Sequence, residues 1–417
     1  MAFSMDSLPI LDPEFVELNA PHQNEALEPL LRSRRLMPML SEAVAELPWD
    51  PESPEYQDIW LGLAALHLFE KRIERALFKP LIRVFLRMLA EYRAQEVQPP
   101  EYVESFAEIW SGVGLPENLI DHPTQAWQQI VDAIITQAGP GDWERAMAFV
   151  QAARRLSGTL PDADVHRLIA IALLIVLGSR PQRKPLAIWR DIWNRTTFEA
   201  SDLFYHDSRL RRALLDENID HAYHLIAVMA KSGETSSDLL AAIIRAAYDI
   251  DYASERRTLG LIPAASALLE SAPLLTHEQF RRGLARLLWD LAFEEKRDPE
   301  RIFYDEISLI KSREIEIDFR RAVLRSDFIQ SWGYAEYAFV HGFEADQIFV
   351  ILSQLSPSFY RGGTPLLWAW SHLASIETLL RLLPEENGIY VMAHTVRLLS
   401  RTPKDTSLLD PFPDEDQ

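Results

Sequence analysis

The 417-residue chain contains no cysteine, which excludes disulfides, a thiolate nucleophile and any cysteine-held zinc or iron–sulfur centre. A metal would have to be held by histidine and carboxylate. Glycine is scarce at 15 residues while proline reaches 26, and runs rich in Ala, Leu, Arg and Glu dominate. That balance favours helices punctuated by prolines over twisted sheets. Long apolar runs are missing too: Leu168 to Leu177 is the longest, about half of what a bilayer span requires, so it predicts a helix buried on all sides and no membrane insertion. The opening residues, MAFSMDSLPILDPEF, lack a basic stretch followed by an apolar one, so no secretory signal is read there and a cytoplasmic location is expected.

Positive charge is also in deficit. Forty-two basic residues against 62 acidic ones give a formal charge of −20, a field that repels phosphates and anionic lipid. The most basic loop, Gly178 to Pro185, carries only Arg180, Arg183 and Lys184 and reads as a solvated connection. Nucleic acid is therefore not an expected partner, whereas a basic protein or peptide is.

What is present is enough apolar material, 48% of residues, for a large core. Residues 1–24 show no sustained period and read as an N-terminal arm. Residues 25–198 form a first helical region. Leu27, Leu30, Leu31, Leu36, Leu40 and Val44 recur at helical spacing, with a kink expected at Pro38; Glu55 to Gln95 is the strongest helical signal, with a break or kink expected at Pro80. Further helices are predicted at 100–113, 124–138, 142–157, 162–177 and 184–196, with Gly139-Pro140-Gly141 a clear turn. A soft boundary at Arg195 to Ser201 precedes a second helical region, 199–401, and residues 402–417 read as a disordered acidic tail. The predicted fold is all-α: stacked antiparallel helix pairs in an α-solenoid-like or helical-repeat array.

Within the second region, aligning Arg211–Leu215 with Arg320–Leu324 brings Gly233 onto Gly342, Ile219 onto Phe328, Leu240 onto Phe349 and Ile243 onto Leu352. A duplication and the chance agreement of two amphipathic helix pairs both account for this register.

The common nucleotide, hydrolase, zinc-protease and EF-hand signatures are absent. Three weaker constellations remain. His221 and His224, three apart on a predicted helix with His206 one helix upstream, could hold iron or zinc beside a carboxylate, although a solvated histidine next to Asp220 and a packed one explain the pair more simply. Asp249, Asp251 and Glu255 suit either helix capping or a cation. Arg361, Gly362 and Gly363 precede an apolar helix bearing Trp368, Trp370 and His372, with Trp332 nearby. Backbone N–H groups at that helix start could meet an anion beside an aromatic wall, or the tryptophans could be core.

From Asp216 to Glu270 the chain resembles the helical repeat of questin-oxidase-like proteins, and Phe78-Lys79-Pro80-Leu81-Ile82 is similar to that family's Phe-His-Pro-Leu-Ile pattern. The resemblance implies a helical fold and a histidine-held iron. Lys79 and Arg256-Arg257 stand where the family carries histidines, so most of the ligands it implies are missing.

Three functions are compatible with these features. The first is a helical-repeat interaction or scaffold protein without catalysis or cofactor. The second is a metal-dependent or cofactor-poor oxygenase acting on a small aromatic substrate. The third is a small-molecule carrier or sensor.

Overall fold

A computed structural model describes residues 20–33, 35–95, 105–197, 206–247, 250, 255–293, 314–359 and 366–401. Most of the expected arm, the acidic tail, Asp249, Asp251, Arg361, Gly362 and Gly363 lie outside them, as do the side chains of His206, Glu255 and Trp368. The described residues contain nineteen α-helices and no strand beyond an isolated bridge between Ser157 and Leu160. The fold is all-α, as the pattern predicts.

The first helices are α1 (Ala20–Ser33), α2 (Leu36–Ala45), α3 (Pro54–Arg72), α4 (Arg75–Ala94), α5 (Phe106–Gly112), α6 (Trp127–Gln137), α7 (Asp142–Leu156), α8 (Asp162–Gly178) and α9 (Lys184–Arg195). Then follow α10 (His206–Leu215), α11 (Ile219–Lys231), α12 (Ser236–Ala247), α13 (Glu255–Ser271), α14 (His277–Phe293), α15 (Ile315–Leu324), α16 (Phe328–Val340), α17 (Ala345–Leu355), α18 (Leu366–Leu382) and α19 (Gly388–Arg401). The prolines act slightly differently from expectation. The chain breaks before Leu36, so that Pro38 falls in the first turn of α2, where an N–H has no partner in any case. It breaks again at Ile73–Glu74, and Pro80 sits inside α4, which continues past it.

Four helices are buried over most of their described residues and form the centre. α3 packs on α7, α7 on α13, α13 on α18, and α18 back on α3, closing a ring that joins the first and last thirds of the chain. Their C-terminal halves meet in one polar cluster. Arg72 at the end of α3 donates through Nε to Glu377 of α18 at 2.9 Å. Arg155, in the last turn of α7, lies 3.9 Å from Glu270 in the last turn of α13 and donates to Thr378 Oγ1 (2.5 Å) and the Ala374 carbonyl (3.2 Å) of α18. Gln151 donates to Ser266 and Glu270 at 2.7 and 2.8 Å. Partners advance together along each helix, so all four run the same way. Four negative dipole ends thus converge, and Arg72, Arg154 and Arg155 oppose them.

The remaining helices form an outer layer, and short connections return each inner helix to an outer partner: α3 to α4, α7 to α8, α13 to α14 and α18 to α19. Gly283 of α14 permits one such approach, since a Cβ there would lie 2.5 Å from Leu268 of α13.

The aligned helices begin in step: 206 and 315, 219 and 328, 236 and 345, each pair 109 residues apart. Their connections agree as well. Glu217 and Ser326 both take left-handed backbone, with φ of 55° and 58°, and the next residue donates back to Ala213 and Ala322 respectively. Asn218 and Asp327 then cap α11 and α16, accepting from the His221 and Gln330 N–H groups at 3.1 and 3.0 Å. Gly233 and Gly342 end those helices with φ of 98° and 86°.

Candidate functional site

A cavity of about 630 Å³ opens between α6, α9 and α14. That volume lies in the range of small-molecule sites. Helix α9 is strongly amphipathic, and its apolar edge is fixed by two contacts. Trp189 meets Tyr223 of α11 edge-on with 5.4 Å between centroids, and the Tyr223 hydroxyl donates to the Ala285 carbonyl of α14 at 2.9 Å. Lys231 of α11 donates to the carbonyls of Trp193 (2.7 Å) and Thr196 (2.6 Å), which satisfies acceptors that the end of α9 would leave open. So anchored, α9 lines the cavity with Leu186, Trp189, Arg190, Trp193 and Asn194, and its N-cap residue Arg183 adds to them.

Helix α14 supplies Glu278, Arg281 and Arg282 from the other side. The Arg281 guanidinium lies over the Trp193 ring, 4.0 Å from its centroid. Burial pulls its pKa down, and the Glu278 carboxylate opposes that shift. Arg282 lies 3.2 Å from Asp132 of α6 and 3.4 Å from Glu278. Its Nε is buried with no acceptor among the described residues. Thr136 spends its hydroxyl on the Asp132 carbonyl at 2.7 Å. Four arginines thus surround one cavity whose lining holds a single carboxylate, Glu278. In a chain of net charge −20 this is a local reversal of sign.

The residues singled out from sequence lie elsewhere. His221 and His224 share a face of α11, and His224 Nδ1 lies 3.2 Å from Thr196 Oγ1. Burial first, then Arg209 and His224, lowers the pKa of His221. No group of three or more His, Asp or Glu among the described residues is placed to hold a metal ion. Trp370 is wholly buried, donates to Ser356 Oγ at 2.9 Å and packs against Phe69 and Phe85. His372 is 1% exposed, 3.4 Å from Thr395 Oγ1, and Trp332 is 8% exposed. These side chains are buried away from the cavity, Trp370 between the C-terminal helices and α3 and α4. Lys79, the departure from the family pattern, forms an ion pair with Glu28 at 2.5 Å.

Two titratable groups that the sequence reading passed over are strongly shifted. Asp58, near the start of α3, is pushed up to about 7 by burial, with Arg145 opposing and Glu55 assisting. His67, near the other end of α3, is pulled down to about 4 by burial and then by Lys71. The Ser41 hydroxyl donates to the Met37 carbonyl, so His67 Nε2, 3.1 Å away, is best placed as the protonated nitrogen of a neutral ring.

The fold and the cavity together define an all-α protein with an arginine-lined pocket. Comparison of the chain with protein-family models, with curated proteins and with solved structures returns no match.

Proposed function

We propose that the chain is a binding protein for a small organic anion, a carrier or sensor that does not transform its ligand. The observation that carries this reading is the cavity between α9 and α14, where Arg183, Arg190, Arg281 and Arg282 converge in an otherwise acidic molecule. Arg183, Arg190 and Arg281 line it without an ion pair among the described residues, and like charges gathered around one concavity repel one another unless an anion compensates them. The lining contains no histidine and no cysteine, and its one free carboxylate is already turned toward arginine, so no acid–base pair or nucleophile accompanies the cations. That chemistry supports capture over turnover. Of the alternatives read from sequence, the interaction scaffold for a basic partner draws on the repeat-like organisation and the acidic surface. The metal-dependent form of the oxygenase draws on histidines that form no group of three or more metal-binding side chains among the described residues.

We also read α10–α12 and α15–α17 as two copies of one unit, supported by their common 109-residue offset and their matching caps and left-handed residues.

Thermal unfolding in benzoate, phenylphosphate and inorganic phosphate tests the binding reading. A ligand held only by the folded state raises the melting temperature with concentration. The rise should shrink at high salt and vanish in an Arg190→Ala, Arg281→Ala double variant. Absence of any shift with all three anions, alongside retention of a basic peptide, would reject it in favour of the scaffold.

A further inference from the structure

The arginines of the cavity fall into two kinds. Arg183 and Arg190 lie at its exposed rim, whereas Arg281 and Arg282 are half-buried neighbours on α14. Arg281 uses the face of its guanidinium on Trp193, and stacking of this kind leaves the N–H edge available. No acceptor among the described residues takes a hydrogen bond from that edge. Arg282 has a further buried donor, Nε, without an acceptor. The open edge of Arg281, with the Arg282 nitrogen that now faces Glu278 beside it, matches the flat pair of oxygens that a carboxylate or phosphate presents.

Glu278 is the one such group that the protein itself places in the described lining of the cavity. It stands one turn before Arg282 on the same helix, 3.4 Å from its guanidinium, and its charge also reaches Arg281. Yet its side chain is 75% exposed, and the contact is longer than a charge-assisted hydrogen bond. Exposed ion pairs of this sort are weak.

We propose that Arg281 and Arg282 form an oxyanion clamp for a carboxylate- or phosphate-bearing ligand, and that Glu278 is an internal stand-in that the ligand displaces. Trp193 is a positioning residue: it holds Arg281 flat so that its edge points into the cavity. Asp132 anchors Arg282 from behind and stays in place when ligand enters. This inference rests on the binding reading above and names its ligand chemistry and its built-in competitor.

The test is isothermal titration of the full chain with phenylphosphate, benzoate and inorganic phosphate, comparing wild type with Glu278→Gln, Arg281→Lys and Trp193→Leu. Removing the competitor should tighten the anions roughly three- to tenfold, in keeping with the strength of an exposed pair. Arg281→Lys keeps the charge but loses the fork and should weaken binding at least about tenfold. Trp193→Leu should weaken it while leaving the melting temperature of free protein near that of wild type. Phenylphosphate binding with inorganic phosphate inert would place the ligand among organic phosphates, and benzoate preference would place it among carboxylates. Should Glu278→Gln fold poorly, Glu278→Asp shortens the side chain yet keeps charge at the helix start, and it should tighten binding by a smaller factor. Wild-type binding that is unchanged or weaker in both Glu278 variants overturns the stand-in while the anion pocket survives. No binding by wild type or variant overturns both.

Discussion

Asp58 and His67 sit on the same helix and titrate in opposite senses, so replacing either should expose a pH dependence that the intact chain conceals. The folded carboxyl of Asp58 titrates near 7 against an ordinary value of 3.8. A raised acid pKa means that the folded state holds its proton more tightly, so the stability it contributes is complete at low pH and is lost as pH rises through about 7. For His67 the folded value is near 4 against 6.5. The folded state here resists protonation, and the associated stability is complete above 6.5 and is lost as pH falls toward 4. Between about pH 5.5 and about pH 8, both values lead to linked changes of about 2 kcal/mol for Asp58 and about 1.4 kcal/mol for His67, with opposite sign. In that window the two terms nearly cancel. Asp58→Asn should therefore lose about 1.4 kcal/mol on acidification, and His67→Gln should gain about 2 kcal/mol, each relative to its own stability at the alkaline end. Urea denaturation followed by circular dichroism measures this directly, and the lower limit stays above the chain's isoelectric point of about 5.0, where association would interfere. Parallel pH profiles for wild type and both variants would refute the assignment of these shifts to burial.

The polar cluster where the four inner helices end should be sensitive to loss of its central charge. Arg155→Met preserves length but takes the guanidinium from Glu270, Thr378 and the Ala374 carbonyl, and unfolding experiments should show a loss of about 3 kcal/mol, reduced when Glu270→Gln is added. A loss below about 0.5 kcal/mol would mean that the cluster is solvated. The two left-handed residues provide a matched pair: Glu217→Gly and Ser326→Gly each relieve Cβ strain and should each stabilise by up to about 1 kcal/mol in the same assay. Effects of opposite sign would count against reading the two connections as copies.

Helix positions were largely legible because apolar spacing and breakers agree locally. The expected segments 142–157 and 162–177 fold as Asp142–Leu156 and Asp162–Gly178, and Gly141 takes the positive φ, 78°, that a Gly-Pro-Gly turn suggests. The anion site was not legible. Its arginines come as Arg183, at the N-cap of α9, and Arg190, seven residues on within it, and as the tandem Arg281-Arg282 about ninety residues later, so neither half forms a basic run. In sequence Arg183 reads as part of a solvated loop, because nothing local shows what packs beside it. A periodicity check on charge would have found the faint signal, since spacing of seven places two arginines on one helical face. The tryptophans misled in the other direction. Trp370 has an aromatic and polar neighbourhood in sequence, yet that neighbourhood is core, because α3 and α4 return from more than 280 residues away to cover it.

Ring closure has a consequence for how the protein is made. The link from Arg72 to Glu377 spans 305 residues, and at ordinary translation speeds of about 5–20 residues per second α18 leaves the ribosome roughly 15 to 60 s after α3. Throughout that interval the oily flank of α3, with Phe69 in it, has no lasting partner. The growing chain is therefore exposed to aggregation for longer than its helical content suggests, and a chaperone that shelters its first third until the last helices arrive would raise the yield of folded protein.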